Sequence, residues 1–137
     1  MTLPQLSLVV VGAEYPNKRG PTRRFEIRLC LPGEPVELRR EPSNPADSRA
    51  IGVYSMRDVQ LGYLSAERAA WFNAMFERGQ TAKAIFQRED TWGAVIRVAF
   101  DGEEPVLPPP PAPKPAPYVE EERFDDWPPV EGPDWGA

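Results

Sequence analysis

The chain of 137 residues contains no histidine. That removes histidine general bases, histidine-dependent triads and the commonest zinc ligand. It has one cysteine, Cys30, within the apolar run Ile27-Arg28-Leu29-Cys30-Leu31. An intramolecular disulfide is therefore excluded, which fits a reducing compartment, and the thiol reads as a small buried hydrophobe. No Gly-rich phosphate loop of the Walker type occurs. The paired carboxylates that acid–base catalysis needs are plentiful only near the C-terminus, where nothing fixes their geometry. The expectation is a protein that is not an enzyme and carries no cofactor. The N-terminus has no basic leader region, and its apolar run, Leu6 to Val11, is far too short to span a bilayer. These features read as a soluble cytoplasmic protein without a membrane partner.

What is present divides the chain near residue 101. Residues 1–100 carry 14 Lys/Arg and 11 Asp/Glu, a net +3, whereas residues 101–137 carry 2 basic and 10 acidic residues, a net −8. The acidic balance of the whole belongs to the tail, so it does not argue against a polyanionic partner for the body. Residues 105–117 hold 8 prolines in 13 positions. Such a run cannot form a ladder of backbone hydrogen bonds and reads as polyproline II. Beyond it come Glu120-Glu121-Glu122, Phe124, Trp127 and Trp135. The expected organisation is a folded domain over 1–100 and a Pro-rich, acidic, disordered tail over 101–137. The tail has two candidate roles. It can fold back on a basic groove of the body as an autoinhibitor, or recruit a protein partner through residues 105–137.

The body reads as mainly β (α+β). Leu6–Val11 is short, β-branched and bounded by Gly12. Arg24 to Leu29 alternates charged and apolar residues as a half-buried strand does. Pro35 to Leu38 leads a third strand into a charged turn. Ile51, Val53 and Ser55 share a face of the next, and Met56-Arg57-Asp58 turns into Val59, Leu61 and Tyr63 as a hairpin. Ser65 is placed as an N-cap with Glu67 in the first turn. The i,i+4 pairs Trp71/Met75 and Phe72/Phe76 then predict one main helix, about Ala66 to Arg78, stopped by Gly79. Strands at about 81–87 and 92–100 complete a small OB-like, partly closed β-barrel.

The turn is chemically dense. Arg39, Arg40 and Arg49 bracket Glu41-Pro42-Ser43-Asn44-Pro45-Ala46-Asp47, and Lys18, Arg19, Arg23 and Arg24 surround Gly20-Pro21. These basic residues can track a few phosphates, with a salt-dependent contribution. Asn44 can donate and accept at a nucleotide edge. Asn and Asp in Pro-rich turns also cap their own backbone, and that second use stays open. A carboxylate such as Asp47 repels an internal phosphate and accepts a hydrogen bond from a terminal hydroxyl.

Four segments carry a family resemblance: Val11-Gly12-x-x-Tyr15; Pro32-Gly33-x-Pro35-Val36-x-Leu38; Arg40-Glu41-Pro42-x-Asn44-Pro45-x-Asp47-x-x-Ala50-Ile51-x-Val53; and Leu61-Gly62-Tyr63-Leu64 followed by Ala66-x-x-Ala69. Over roughly Ser7 to Phe100 the chain resembles the HIRAN domain family. The resemblance implies a barrel similar to oligonucleotide-binding folds. It also implies binding of single-stranded DNA, especially its 3′-hydroxyl end, in replication or repair. Tyr15 falls where the family places a base-stacking aromatic, and Tyr63 at a position the family can turn toward nucleic acid. Three positions differ from DNA-binding members: Glu14 stands in place of Arg, Ala46 in place of an aromatic, and Tyr63 in place of His. The alternative reading is a protein-interaction adaptor that keeps the barrel and has lost the DNA site.

Overall fold

The computed structural model describes residues 3–109. The expectations for the rest of the tail, its aromatic end included, lie outside the described residues. Six strands and two helices follow in the order β1 (Leu6–Val11), α1 (Arg23–Leu29), β2 (Pro35–Arg40), β3 (Ile51–Ser55), β4 (Gln60–Leu64), α2 (Ala66–Glu77), β5 (Ala82–Asp90) and β6 (Gly93–Phe100). The strands form a closed antiparallel barrel in the order β1-β4-β3-β2-β5-β6. β1 closes the ring. It pairs with β6 from Leu6–Val98 to Val10–Ala94, and with β4 at Val10–Leu64 and Val11–Tyr63.

The period-2 pattern of the strands decides what fills the interior. Leu8 and Val10 of β1, Ile51 and Val53 of β3, Ala84 and Phe86 of β5, and Ala94, Ile96, Val98 and Phe100 of β6 are all buried in one core. Helix α2 plugs one end. Ser65 caps it by accepting from the Arg68 amide, and its buried Ala69, Phe72 and Met75 face the barrel. The Trp71 and Phe72 rings meet Phe100 at centroid distances of 5.8 Å each. The first pair is edge-to-face and the second tilted, and aromatic contacts of this kind add to the area buried.

The segment Arg24 to Leu29, expected as a strand, is the helix α1. Thr22 Oγ1 accepts from the Phe25 amide at 3.1 Å, and the Cys30 amide bonds back to the Glu26 carbonyl. The buried positions are Arg23, Glu26, Ile27 and Cys30, with i, i+3, i+4, i+7 spacing. Two of those four carry charge, while the apolar Phe25 and Leu29 are exposed. The hydropathy alternation therefore tracked the solvent-facing side. Glu26 tolerates burial because Ser55 Oγ and Arg57 Nε both donate to its Oε2 at 2.6 Å.

After β6 the chain turns at Asp101-Gly102 and lies back against the barrel. Gln5 Nε2 donates to the Glu104 carbonyl (3.0 Å), the Val106 amide to Gln5 Oε1 (2.8 Å), and Arg97 Nε to the Val106 carbonyl (3.2 Å).

Candidate nucleic-acid interface

The strand order places the loop before α1 beside the turn between β2 and β3. Together they enclose an open cleft of about 1070 Å³. One lip is formed by Pro16 to Pro21, the other by Arg40 to Pro45; Tyr54, Gln60 and Tyr63 make the floor. The floor belongs to the outer faces of β3 and β4, where side chains that point out of the barrel are free to be polar.

Several predicted residues meet here. Lys18 and Arg19 line the first lip, exposed, and neither has an ion pair or side-chain hydrogen bond among the described residues. Arg23 also reaches the cleft, but as a buried brace. Its Nε donates to Asn17 Oδ1 (2.8 Å), another guanidinium nitrogen donates to the Gly12 carbonyl (2.9 Å), and its charge lies 5.5 Å from the centre of the Tyr63 ring. Asn17 Nδ2 in turn donates to the carbonyls of Pro21 and Gln60 at 3.1 Å, fastening the lip to β4. Arg40 lines the second lip with its guanidinium held by Asn73 (2.6 Å) and Glu77 (3.2 Å) of α2.

Asn44 is committed to the turn itself. Its Oδ1 accepts from the amides of Ala46 (2.8 Å) and Asp47 (3.3 Å), and its Nδ2 donates to Glu41 Oε1 (2.8 Å). This is the self-capping use of Asn in a Pro-rich turn. Asp47 is exposed and stands outside the cleft lining; its Oδ1 accepts from the Arg49 amide at 2.9 Å, and Oδ2 has no donor among the described residues.

Two predicted cations are already engaged by the protein. Arg39 stacks over Tyr54, 3.9 Å from the ring centre, and pairs with Glu37 and Asp58. Arg24 donates to the Thr91 carbonyl, away from the cleft.

Tyr15 is 62 % exposed at the end of the Gly12 turn, its amide bonded to the Gly12 carbonyl. Gly12 has a positive φ of 84°, and a Cβ there would stand 3.7 Å from Tyr15 and 4.0 Å from Tyr63. Both rings therefore flank this glycine.

Three residues of the region escaped sequence reading. Glu41 is the hub of the floor: its Oε1 accepts from Tyr63 Oη (3.0 Å) and Asn44, and its Oε2 from Tyr54 Oη (3.4 Å). The Tyr54 hydroxyl is held above its ordinary pKa, first by burial and then by the Glu41 charge, so it remains a donor. Tyr54 itself was hidden as an ordinary strand residue. Trp92 was read as the start of a strand, yet it is 77 % exposed at the β5–β6 turn. Its neighbour Gly93 packs on Val10 and Ala13, next to the Gly12–Tyr15 turn. A Trp directly before Gly93, between two strand-like runs, was the available signal.

A small closed barrel bearing a cleft with basic lips and an aromatic floor defines a binding module. The HIRAN domain family matches residues 5–93, and the chain belongs to it. HIRAN is a nucleic-acid-binding fold and not itself catalytic. The HIRAN domain of human HLTF superposes with a TM-score of 0.56 at 21 % identity, over 72 % of this chain and 76 % of that one. A protein from Lactobacillus plantarum superposes at 0.57 with 21 % identity, over 73 % of this chain and 94 % of its own. No curated protein matches. Among the described residues, no helix is long and apolar enough to cross a membrane.

Proposed function

We propose that the chain binds single-stranded DNA through the cleft, with a 3′-hydroxyl end at its Asp47 side, in a replication or repair setting in the cytoplasm. The observation that carries this reading is the pairing of Lys18 and Arg19, exposed and without protein partners among the described residues, with the Tyr54–Tyr63 floor. Cations at the lips track phosphates, and exposed aromatics take bases; stacking contributes about 1–3 kcal/mol per base and tolerates sequence. Tyr15 and Trp92, exposed on the Gly12 side, are the stacking candidates there. Trp92 offers an aromatic surface that Ala46 does not. Asp47 retains one carboxylate oxygen able to accept from a terminal hydroxyl.

Fluorescence anisotropy with a short single-stranded DNA at low salt tests the proposal, comparing 3′-hydroxyl and 3′-phosphate ends. Tighter binding of the hydroxyl end, lost in Asp47→Ala, supports end recognition. Equal binding of both ends leaves a general groove for single strands. No binding of either removes the proposal.

A further inference from the structure

The cleft has a feature that a groove for phosphates alone would avoid. Glu41 puts a half-buried carboxylate on its floor, and no lysine or arginine pairs with it among the described residues. Its partners are three neutral donors, the hydroxyls of Tyr54 and Tyr63 and the amide of Asn44. Oε1 takes two of these bonds, while Oε2 takes only the long one from Tyr54, which leaves it with spare acceptor capacity. The nearby cations are committed to other groups or stand on the lips: Arg39, stacked on Tyr54, pairs with Glu37 and Asp58; Arg23 is bonded to Asn17 and Gly12; Arg40 is tied to α2; and Lys18 and Arg19 stand on the opposite lip.

We propose that Glu41 is a specificity-determining residue: it turns the bases of a bound strand toward the floor, and it favours bases that offer an exocyclic amine over thymine. The inference rests on the reading of the cleft as a nucleic-acid site. A phosphate entering the floor meets a carboxylate that no lysine or arginine pairs with among the described residues; a phosphate at the lips meets Lys18 and Arg19. The strand therefore lies with its backbone outward. A base edge that reaches Glu41 Oε2 must bring a donor. Cytosine and adenine bring an amino group, whereas thymine presents two carbonyl oxygens around its single imino N–H, and those oxygens face a carboxylate. A carboxylate accepting from the cytosine amine is an established pairing in base readout.

The test uses the full chain at neutral pH and low salt, with labelled oligo(dC), oligo(dT) and an abasic strand of equal length and charge. Oligo(dC) is expected to bind about tenfold tighter than oligo(dT), the discrimination typical of one well-placed hydrogen-bonded contact, and the abasic strand weakest. Glu41→Gln keeps an acceptor oxygen for one tyrosine, turns its amide N–H toward the hydroxyl oxygen of the other, and removes the charge. It should abolish the oligo(dC) preference while tightening oligo(dT), a change of opposite sign for two ligands that a merely structural role cannot produce. Arg28→Ala, which removes an exposed cation outside the cleft lining, should keep the preference; circular dichroism and a thermal melt establish that both variants fold. Equal binding of all three strands overturns the inference and leaves the nucleic-acid reading standing. So does a uniform loss for every strand in a folded Glu41→Gln. Failure of every strand to bind wild type removes both.

Discussion

Arg57 Nε donates to Glu26 Oε2 at 2.6 Å, and the same oxygen accepts from Ser55 Oγ. The bond ties the β3–β4 hairpin to α1, and Arg57 reaches on to Glu34 (3.1 Å) and to Cys30 Sγ (3.6 Å). Glu26 is fully enclosed, so its charge depends on these partners for what water would otherwise supply. The hairpin ends in Gln60 and Tyr63, which form the cleft floor. The network therefore positions the floor against the lip that precedes α1.

Arg57→Met should destabilise the fold by about 2 kcal/mol, below the usual cost of orphaning a buried charge because the arginine end is partly in water. Arg28 provides the control. Its pair with Glu89 is exposed at both ends, and Arg28→Ala should change stability by less than about 0.5 kcal/mol. Urea unfolding followed by circular dichroism checks both. Equal losses in the two variants would remove the special role of the Glu26 network.

Most of the architecture was legible because the strands have clean period-2 faces and short turns. Ile51, Val53 and Ser55 share a buried face of β3, as their spacing predicts, and Ser65 and Gly79 bound α2 by ordinary capping chemistry. Helix α1 was not legible, because its inward side is charged. Arg23 and Glu26 find their partners at Gly12, Asn17, Ser55 and Arg57, all remote in sequence. The cleft was half legible for the same reason. Lys18, Arg19 and Tyr63 stand out by type, but a glutamate inside a charged turn gives no sign that two tyrosines from other strands converge on it.

Cys30 lies under the same network, and burial pushes its thiol up to about 11 against the opposing pull of Arg57. An unfolded thiol titrates near 8.5, so the folded state binds its proton more tightly. The resulting stability is fully present below the unfolded value and is lost as pH rises toward the folded one. Wild type should therefore weaken on going from neutral pH to pH ~10 more steeply than Cys30→Ala, as ionisation of the unfolded thiol near 8.5 draws the equilibrium. Denaturant midpoints across that range measure it. Alkylation of the folded thiol should also be slow near pH 8, and fast once the chain is unfolded. Parallel midpoints for the two proteins would contradict this account.

Two buried glycines separate fold from site. A Cβ on Gly62 would stand 2.3 Å from the Val11 carbonyl oxygen, the backbone of the strand beside it. Gly62→Ala must part β1 from β4, at a cost of about 3 kcal/mol or more. A Cβ on Gly52 would meet only side-chain ends, 2.8 Å from the Tyr54 ring and 2.9 Å from Glu41 Oε2. Those ends can move, so Gly52→Ala should lower the melting temperature less while displacing Glu41 and Tyr54 and weakening single-strand binding. Thermal melts and anisotropy on the two variants test the contrast. A Gly62→Ala as stable as wild type would mean that the β1–β4 seam yields more easily than its close approach implies.

The last prediction concerns which of the basic residues do electrostatic work. A cation already satisfied by a carboxylate releases few counterions when a strand arrives, whereas a free one contributes fully to the salt dependence. Arg39 is paired with Glu37 and Asp58 and stacked on Tyr54; Lys18 and Arg19 have no such partners among the described residues. Lys18→Ala and Arg19→Ala should each reduce the slope of log affinity against log salt by about 1, roughly one phosphate contact apiece. Arg39→Ala should leave the slope nearly unchanged, even where it loosens Tyr54. Affinities of a single-stranded oligonucleotide over a salt series give the slopes directly. A larger slope change for Arg39 than for the two lip residues would place the phosphate path on the β2–β3 face beside Asp58 instead of along the 16–21 lip.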